Sequence, residues 1–228
     1  MLLGTAHVVD LAGPLRSVLS QRPLDGVAVE LDQERAAALF SEGHDRRPAR
    51  DVPLLARLWG HLQRRLGEEI GGGDPGEEMK IAATLARERG LPLFLIDDPI
   101  RRTFANLVRS MPAKERVTLL LGALMGLFVP ARRVSEEMDR YAERPEEFAE
   151  EIRRASPTVA RVLLDDRNEH MAERLSQLRG EGFGRLAVVV GDAHVPGLSA
   201  ALARRGVPVE SIPFRELRTI RGPSSRPS

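Results

Sequence analysis

Five short apolar runs alternate along this chain with stretches whose apolar residues recur at helical spacing. Leu2 to Val9 reads as a strand, and Asp10 to Gln21 as a helix with Leu11, Leu15, Val18 and Leu19 on one face and Pro14 tolerated in its first turn. Val27 to Leu31 is a second strand after the Asp25-Gly26 turn. Asp32 is placed to cap a helix from Gln33, with Arg35 in its first turn and Ala36, Leu39 and Phe40 facing inward. Leu91 to Ile96 is a third strand, Leu186 to Val190 a fourth and Val207 to Ile212 a fifth, with a helix from about Leu198 to Arg205 before the last.

Between these elements the pattern changes. Ser41 to Asp51 reads as a loop, Val52 to Ile70 as a helix carrying Trp59, and Gly71 to Gly76 as a sharp break into a helix opening with Glu77-Glu78-Met79. The glycine-rich break lacks the preceding strand and the following Lys-Ser/Thr of a phosphate loop, so it reads as a linker or lid. Pro99 to Ala155 is a run of helical segments, and Ser156-Pro157 opens a long helix to about Arg179. The expected fold class is α/β: a central, mostly parallel sheet flanked by helices, with a helical insertion (about 99–155) between the third and fourth strands. One domain over 1–220 and a disordered Pro/Ser-rich tail over 221–228 complete the expectation.

Composition narrows the function. The 228 residues carry 34 basic and 33 acidic side chains, a net charge of +1, without a block of like charge that would track a phosphate backbone, so nucleic acid is not an expected partner. The absence of cysteine leaves His, Asp and Glu as metal ligands. The longest apolar stretch, Val117 to Val129, is interrupted by Thr118, Gly122 and Gly126 and falls short of the roughly 20 residues of a spanning helix, so no membrane span is expected. The start of the chain lacks the charged and long apolar regions of a secretory signal, which predicts a cytoplasmic protein.

The chemistry-bearing residues gather at predicted strand ends. Gly4-Thr5-Ala6-His7 and Gly191-Asp192-Ala193-His194 are two G-x-x-H tetrapeptides, each following an apolar run, and Glu30 and Asp97 end two other strands. The carboxyl edge of such a sheet is where α/β proteins bind ligands. Two histidines and a carboxylate there suit a divalent metal, against the plainer reading that each residue ends its strand in solvent. Arg167 falls on the apolar stripe of Leu163, Leu164, Met171, Leu175 and Leu178, and needs either a substrate or an internal carboxylate, Asp97 or Glu30. Glu78 lies one turn before Ala82 near a helix N-terminus, as a metal ligand, a general base or a solvated first-turn acid. His44, His61 and His170 read as structural or surface residues, and no G-x-S-x-G elbow is present.

The pieces Gly4 to Val9, Val29 to Asp32 with Arg35, Gly76 to Met79, Leu95 to Asp97, Leu163 to Ala172 and Val190 to Gly197 together resemble the TraB (TraB/PrgY) family, which is related to the Tiki metalloproteases and, more distantly, to the erythromycin-esterase/ChaN-like group. The resemblance implies that His7 and His194 bind a divalent metal with a carboxylate, Glu30 or Glu78. It also implies that a glutamate takes the proton of the attacking water, and that Arg35 or Arg167 holds a substrate carboxylate or the developing oxyanion, with Asp97 beside them at the substrate. Bacterial members are associated with shutting down peptide pheromone signals, which implies a peptide substrate or ligand. The chain departs from the family pattern at Asp97-Asp98-Pro99, where Asp-Arg-Asp is usual, and at Asp166-Arg167, where Glu-Arg is usual. Many relatives continue into membrane helices.

The first expectation is therefore a divalent-metal-dependent hydrolase acting on peptides, with Mn, Co or Zn as the ion. The alternatives are a non-catalytic peptide or anion receptor using Arg35, Arg167 and the histidines, and a metal-independent hydrolase of the erythromycin-esterase type. The Val117 to Val129 segment is read as either internal core or the interface of a homodimer.

Overall fold

The computed structural model describes residues 1–6, 11–40, 76–118 and 145–220. His7, His44, His61, the segment expected to be helical over 52–70, most of the glycine-rich break, the apolar run beyond Thr118 and the tail from 221 lie outside these residues.

Five parallel strands form one sheet in the order β3-β2-β4-β1-β5, with β1 Leu2–Thr5, β2 Gly26–Val29, β3 Leu93–Leu95, β4 Leu186–Gly191 and β5 Ser211–Ile212. The apolar runs were longer than the strands they form. Glu30 and Leu31 continue past β2 and Ile96 past β3, still bonded through Glu30 N–H to Val189 C=O (3.1 Å) and Ile96 N–H to Val29 C=O (3.2 Å). The last run pairs only over two residues at the sheet edge.

Pleating sends alternate residues to opposite faces, and both faces are covered, which is why the strands read as continuous apolar runs. Leu3, Val27, Val29, Ala187 and Val189 point to one face. They pack there on α1 (Ala12–Gln21), α2 (Gln33–Phe40), α3 (Glu77–Glu88) and α9 (Phe214–Leu217), through Leu15, Leu19, Ala36, Met79, Ala82 and Phe214. Leu2, Ala28, Leu186, Val188 and Val190 point to the other face, onto α7 (Asp166–Gly180) and α8 (Val195–Arg204) through Met171, Leu175, Leu178, Leu198 and Leu202. Helix α9, which follows Pro213, is too short at four residues to show a helical period in the sequence.

The expected insertion between β3 and β4 is present. It comprises α4 (Ile100–Ser110), a helical stretch over 113–118, α5 (Pro145–Ala155), α6 (Pro157–Ala160) and a π-helical turn, Arg161–Asp165, that runs into α7. Leu107, Met111 and Val162 make a small core of their own with Phe104, Val159 and Leu163. Glu115 ties 113–118 to α6 by accepting hydrogen bonds from the Ser156 hydroxyl (2.6 Å), the Thr158 hydroxyl (3.0 Å) and the Thr158 N–H (3.2 Å). Val117, the first residue of the expected apolar helix, is exposed. The single long helix expected from Ser156 is interrupted by the π turn, whose wider winding turns Leu163 toward the insertion core while Met171, Leu175 and Leu178 face the sheet. Among the described residues no helix is long and apolar enough to cross a membrane.

Topology selects one place on the sheet. The connection from β1 leads through α1 toward β2 and that from β4 leads through α8 toward β5, so the chain leaves these adjacent strands in opposite directions and over opposite faces. A crevice opens outside the carboxyl ends of strands so arranged. The two G-x-x-H motifs begin there side by side, with Gly4 opposite Val190 and Thr5 opposite Gly191.

Candidate active site at the carboxyl edge of the sheet

Each side chain reaches this edge by a different local route. Glu30 is the first residue beyond β2, and its Oε2 accepts the Gly191 N–H at 2.7 Å, joining the ends of β2 and β4. Asp97 lies two residues beyond β3 and is buried. His194 closes the short 3₁₀ turn Asp192–His194 that leads from β4 into α8, and it too is buried. Arg167 and Asn168 stand in the first turn of α7 directly after the π turn. Backbone of α5 lies against the Asp192–His194 turn, so the insertion reaches the site.

Arg167 is the hub. Its Nε donates to Asp97 Oδ1 at 3.0 Å and its Nη2 to Asp97 Oδ2 at 2.5 Å, a bidentate fork. Nη2 also donates to Glu30 Oε1, while Nη1 lies 3.0 Å from His194 Nε2 and 3.3 Å from the Leu163 carbonyl. Arg35 approaches from the other side, donating to Asp97 Oδ2 through Nη2 and to Asp32 Oδ2 through Nε at 2.8 Å. Asp32 caps α2 as its sequence position predicted, accepting the Arg35 N–H at 2.8 Å, and it also accepts the Ile100 N–H of α4 at 3.1 Å. Burial opposes the charge on Arg167, but Glu30 and Asp97 outweigh it and hold the guanidinium firmly protonated. The same balance, with Asp97 and Asp32 as partners, holds for Arg35.

The structure thus brings together Glu30, Asp97, Arg35, Arg167 and His194. Both carboxylates proposed as internal partners of Arg167 bind it at once. Glu78 is buried in the first turn of α3, on the helix face that packs with Met79 and Ala82 toward β2. His170 is half-buried on α7. Two polar residues went unassigned in the sequence. Asn168 Oδ1 is 2.9 Å from His194 Nδ1, and the Asp192 carboxylate accepts the Phe214 N–H at 2.7 Å, tying the second G-x-x-H motif to α9. Asn168 carries no periodicity signal, and only contact across α7 and α8 shows its role.

Burial opposes ionisation of Glu30, yet positive charge from His194 when protonated and from Arg167, with the Gly191 N–H bond, holds its carboxyl well below the usual value of 4.5. Asp32 is depressed as well, its burial outweighed by hydrogen bonds from Arg35. Groups depressed in the folded state contribute stability that is full above their unfolded values and is lost as pH falls through the lower folded ones. Thermal stability should therefore be level near neutrality and fall below about pH 4.5. A melting series over pH 3 to 7 checks this, with a shallower acid slope expected for Glu30→Gln.

A match to known sequences now adds to this geometry. Residues 1–211 match the TraB/PrgY/gumN family. The chain belongs to the TraB/PrgY/gumN family. It is similar to an uncharacterized protein of Methanocaldococcus jannaschii, 31% identical over 206 residues, which cover 86% of this chain and 51% of that one. This TraB/PrgY/gumN chain thus spans about half the length of the curated relative it matches.

The resemblance implies a divalent metal, and the donors can be tested for fit. His194 Nε2 and Glu30 Oε1 stand 3.3 Å apart, close to the separation of about 3.3–3.6 Å between two tetrahedral ligands bonded at about 2.0–2.2 Å. The pair already holds a cation, the Arg167 guanidinium. Among the described residues no group of three His, Cys, Asp or Glu side chains could hold a metal ion. The described residues thus offer two donors at a suitable separation, both engaged by Arg167. By resemblance the third donor is His7, three positions after Gly4 in the sequence and outside the described residues.

Proposed function

We propose that the protein is a divalent-metal-dependent hydrolase acting on peptides. The observation that carries this reading is the 3.3 Å approach of a buried imidazole and a carboxylate at the topological switch point of the sheet. His194, Glu30 and His7 would hold the ion, which supplies Lewis acidity and a water of lowered pKa. The chain's own groups do the rest. With Glu30 at the ion, Glu78 would accept the proton of the attacking water, and Arg35, whose side chain is 30% exposed, is the guanidinium open to a substrate carboxylate or oxyanion. Asp97 fixes both arginines.

The cluster's charge argues against the anion-receptor reading. Three carboxylates, Glu30, Asp32 and Asp97, face two guanidiniums, so these five side chains together carry one excess negative charge. An acidic ligand at Arg167 would have to displace a carboxylate already bound there bidentately, whereas a cation would complete the balance.

Protein purified without chelator should contain close to one equivalent of transition metal per chain, measured by elemental mass spectrometry, and hydrolyse members of a peptide pool. His194→Ala and Glu30→Gln should lose most of the metal, and chelation should abolish hydrolysis. Equal metal content in wild type and variants would overturn the reading.

A further inference from the structure

His194 is held from two sides by consecutive residues of one helix. Arg167 Nη1 stands 3.0 Å from Nε2, and Asn168 Oδ1 stands 2.9 Å from Nδ1. A guanidinium only donates, so Nε2 must accept, and the imidazole proton resides on Nδ1. The Nδ1–H group then donates to the amide oxygen of Asn168, which fixes the amide orientation as well. The two contacts agree on one tautomer, with the Nε2 lone pair toward Arg167 Nη1, while the neighbouring Nη2 of the same guanidinium donates to Glu30 Oε1.

Asn168 can reach this position only because of Gly197. A Cβ at residue 197 on α8 would run into the Asn168 Nδ2 and Cγ atoms, so the glycine opens the seat in which the amide lies, 4% exposed. The turn before α7 matters too. The π turn ends at Asp165, and Arg167 and Asn168, neighbours in sequence, reach opposite nitrogens of one ring.

We propose that Asn168 is a positioning residue that locks His194 in the Nδ1–H tautomer and keeps Nε2 as the ring's accepting atom. The tautomer does not depend on the hydrolase reading; the use of Nε2 as a metal ligand rests on it. The amide stands where the orienting partner of a metal-binding histidine stands, and loss of such a partner weakens metal binding by about 10–100-fold.

The decisive measurement is a long-range nitrogen–proton correlation spectrum of the side-chain imidazoles in the metal-free full chain at pH 8, with His194 assigned by its loss in His194→Gln. The wild type should show a protonated Nδ1 and an unprotonated Nε2. Asn168→Asp, which keeps an acceptor in place, should retain that pattern. Asn168→Leu should lose it, and its affinity for Mn²⁺ by titration calorimetry should fall by about 10–100-fold while Asn168→Asp stays within a few-fold. A wild-type spectrum with the proton on Nε2 overturns the proposal whether or not the variants fold, and an unchanged tautomer in a folded Asn168→Leu overturns it as well. If the tautomer is as stated but no variant or wild type binds Mn²⁺, the hydrolase reading fails and the positioning role stands.

Discussion

Replacing Arg167 with methionine should destabilise the protein by about 3–5 kcal/mol, the cost of removing one partner from a buried ion-pair network. The side chain is 15% exposed and Asp97's is fully covered, so little water is available to solvate the acid left behind. Glu30 would lose its closest positive partner and Asp97 its bidentate one, and Arg35 already serves Asp32 as well as Asp97. Methionine matches the aliphatic length without the charge, so the loss reports on electrostatics more than on packing. For a chain of this size the melting temperature should drop by roughly 6–20 °C. Arg167→Lys should recover only part of this, because an ammonium cannot fork across Asp97 and still reach Glu30 and the imidazole. A drop below about 2 °C for Arg167→Met would show that the pairs contribute nothing net.

Gly4→Ala should also be severe, at roughly 2–4 kcal/mol, and its cause lies in the pairing of the two G-x-x-H motifs. A Cβ at position 4 would collide with Asp192 Oδ1 and press on Val195 Cγ2 at 3.0 Å. Asp192 is not free to yield, because that same oxygen accepts the Phe214 N–H, and the carboxyl is pushed up from its usual range by burial against that hydrogen bond. Either the β1–β4 spacing opens or the bond to α9 is lost. Gly180→Ala is the control. Its Cβ would meet nothing within 4 Å at the end of α7, and it should stabilise by about 0.4–1 kcal/mol. Chemical denaturation of the three proteins tests the contrast, and equal midpoints for wild type and Gly4→Ala would refute the packing argument.

The glycine of the first motif is thus explained by the aspartate of the second. Read as letters, Gly4-Thr5-Ala6-His7 and Gly191-Asp192-Ala193-His194 suggest two equivalent halves of a site. In the fold Gly4 and Gly191 lie on the neighbouring strands β1 and β4, and Asp192 of the second motif fills the space left by the glycine of the first. Asp192 therefore has a packing role that its place between a glycine and a histidine did not reveal.

The sequence by itself determined the layers of this protein and the edge at which several of its polar residues gather. Continuous apolar runs such as Val188-Val189-Val190 are stable only with both faces covered, and helical spacing between them supplied the cover, so a parallel sheet between helices followed from hydropathy alone. The end of each run then placed Glu30, Asp97 and His194 at one edge, and an arginine on an apolar stripe demanded either a substrate or an acid there. What only the tertiary structure decided was the order β3-β2-β4-β1-β5, the π turn that re-aims α7, and the pinning of the His194 ring by Arg167 and Asn168. Strand order and ring tautomer depend on contacts between residues far apart in the chain, and these distances have no counterpart in local periodicity.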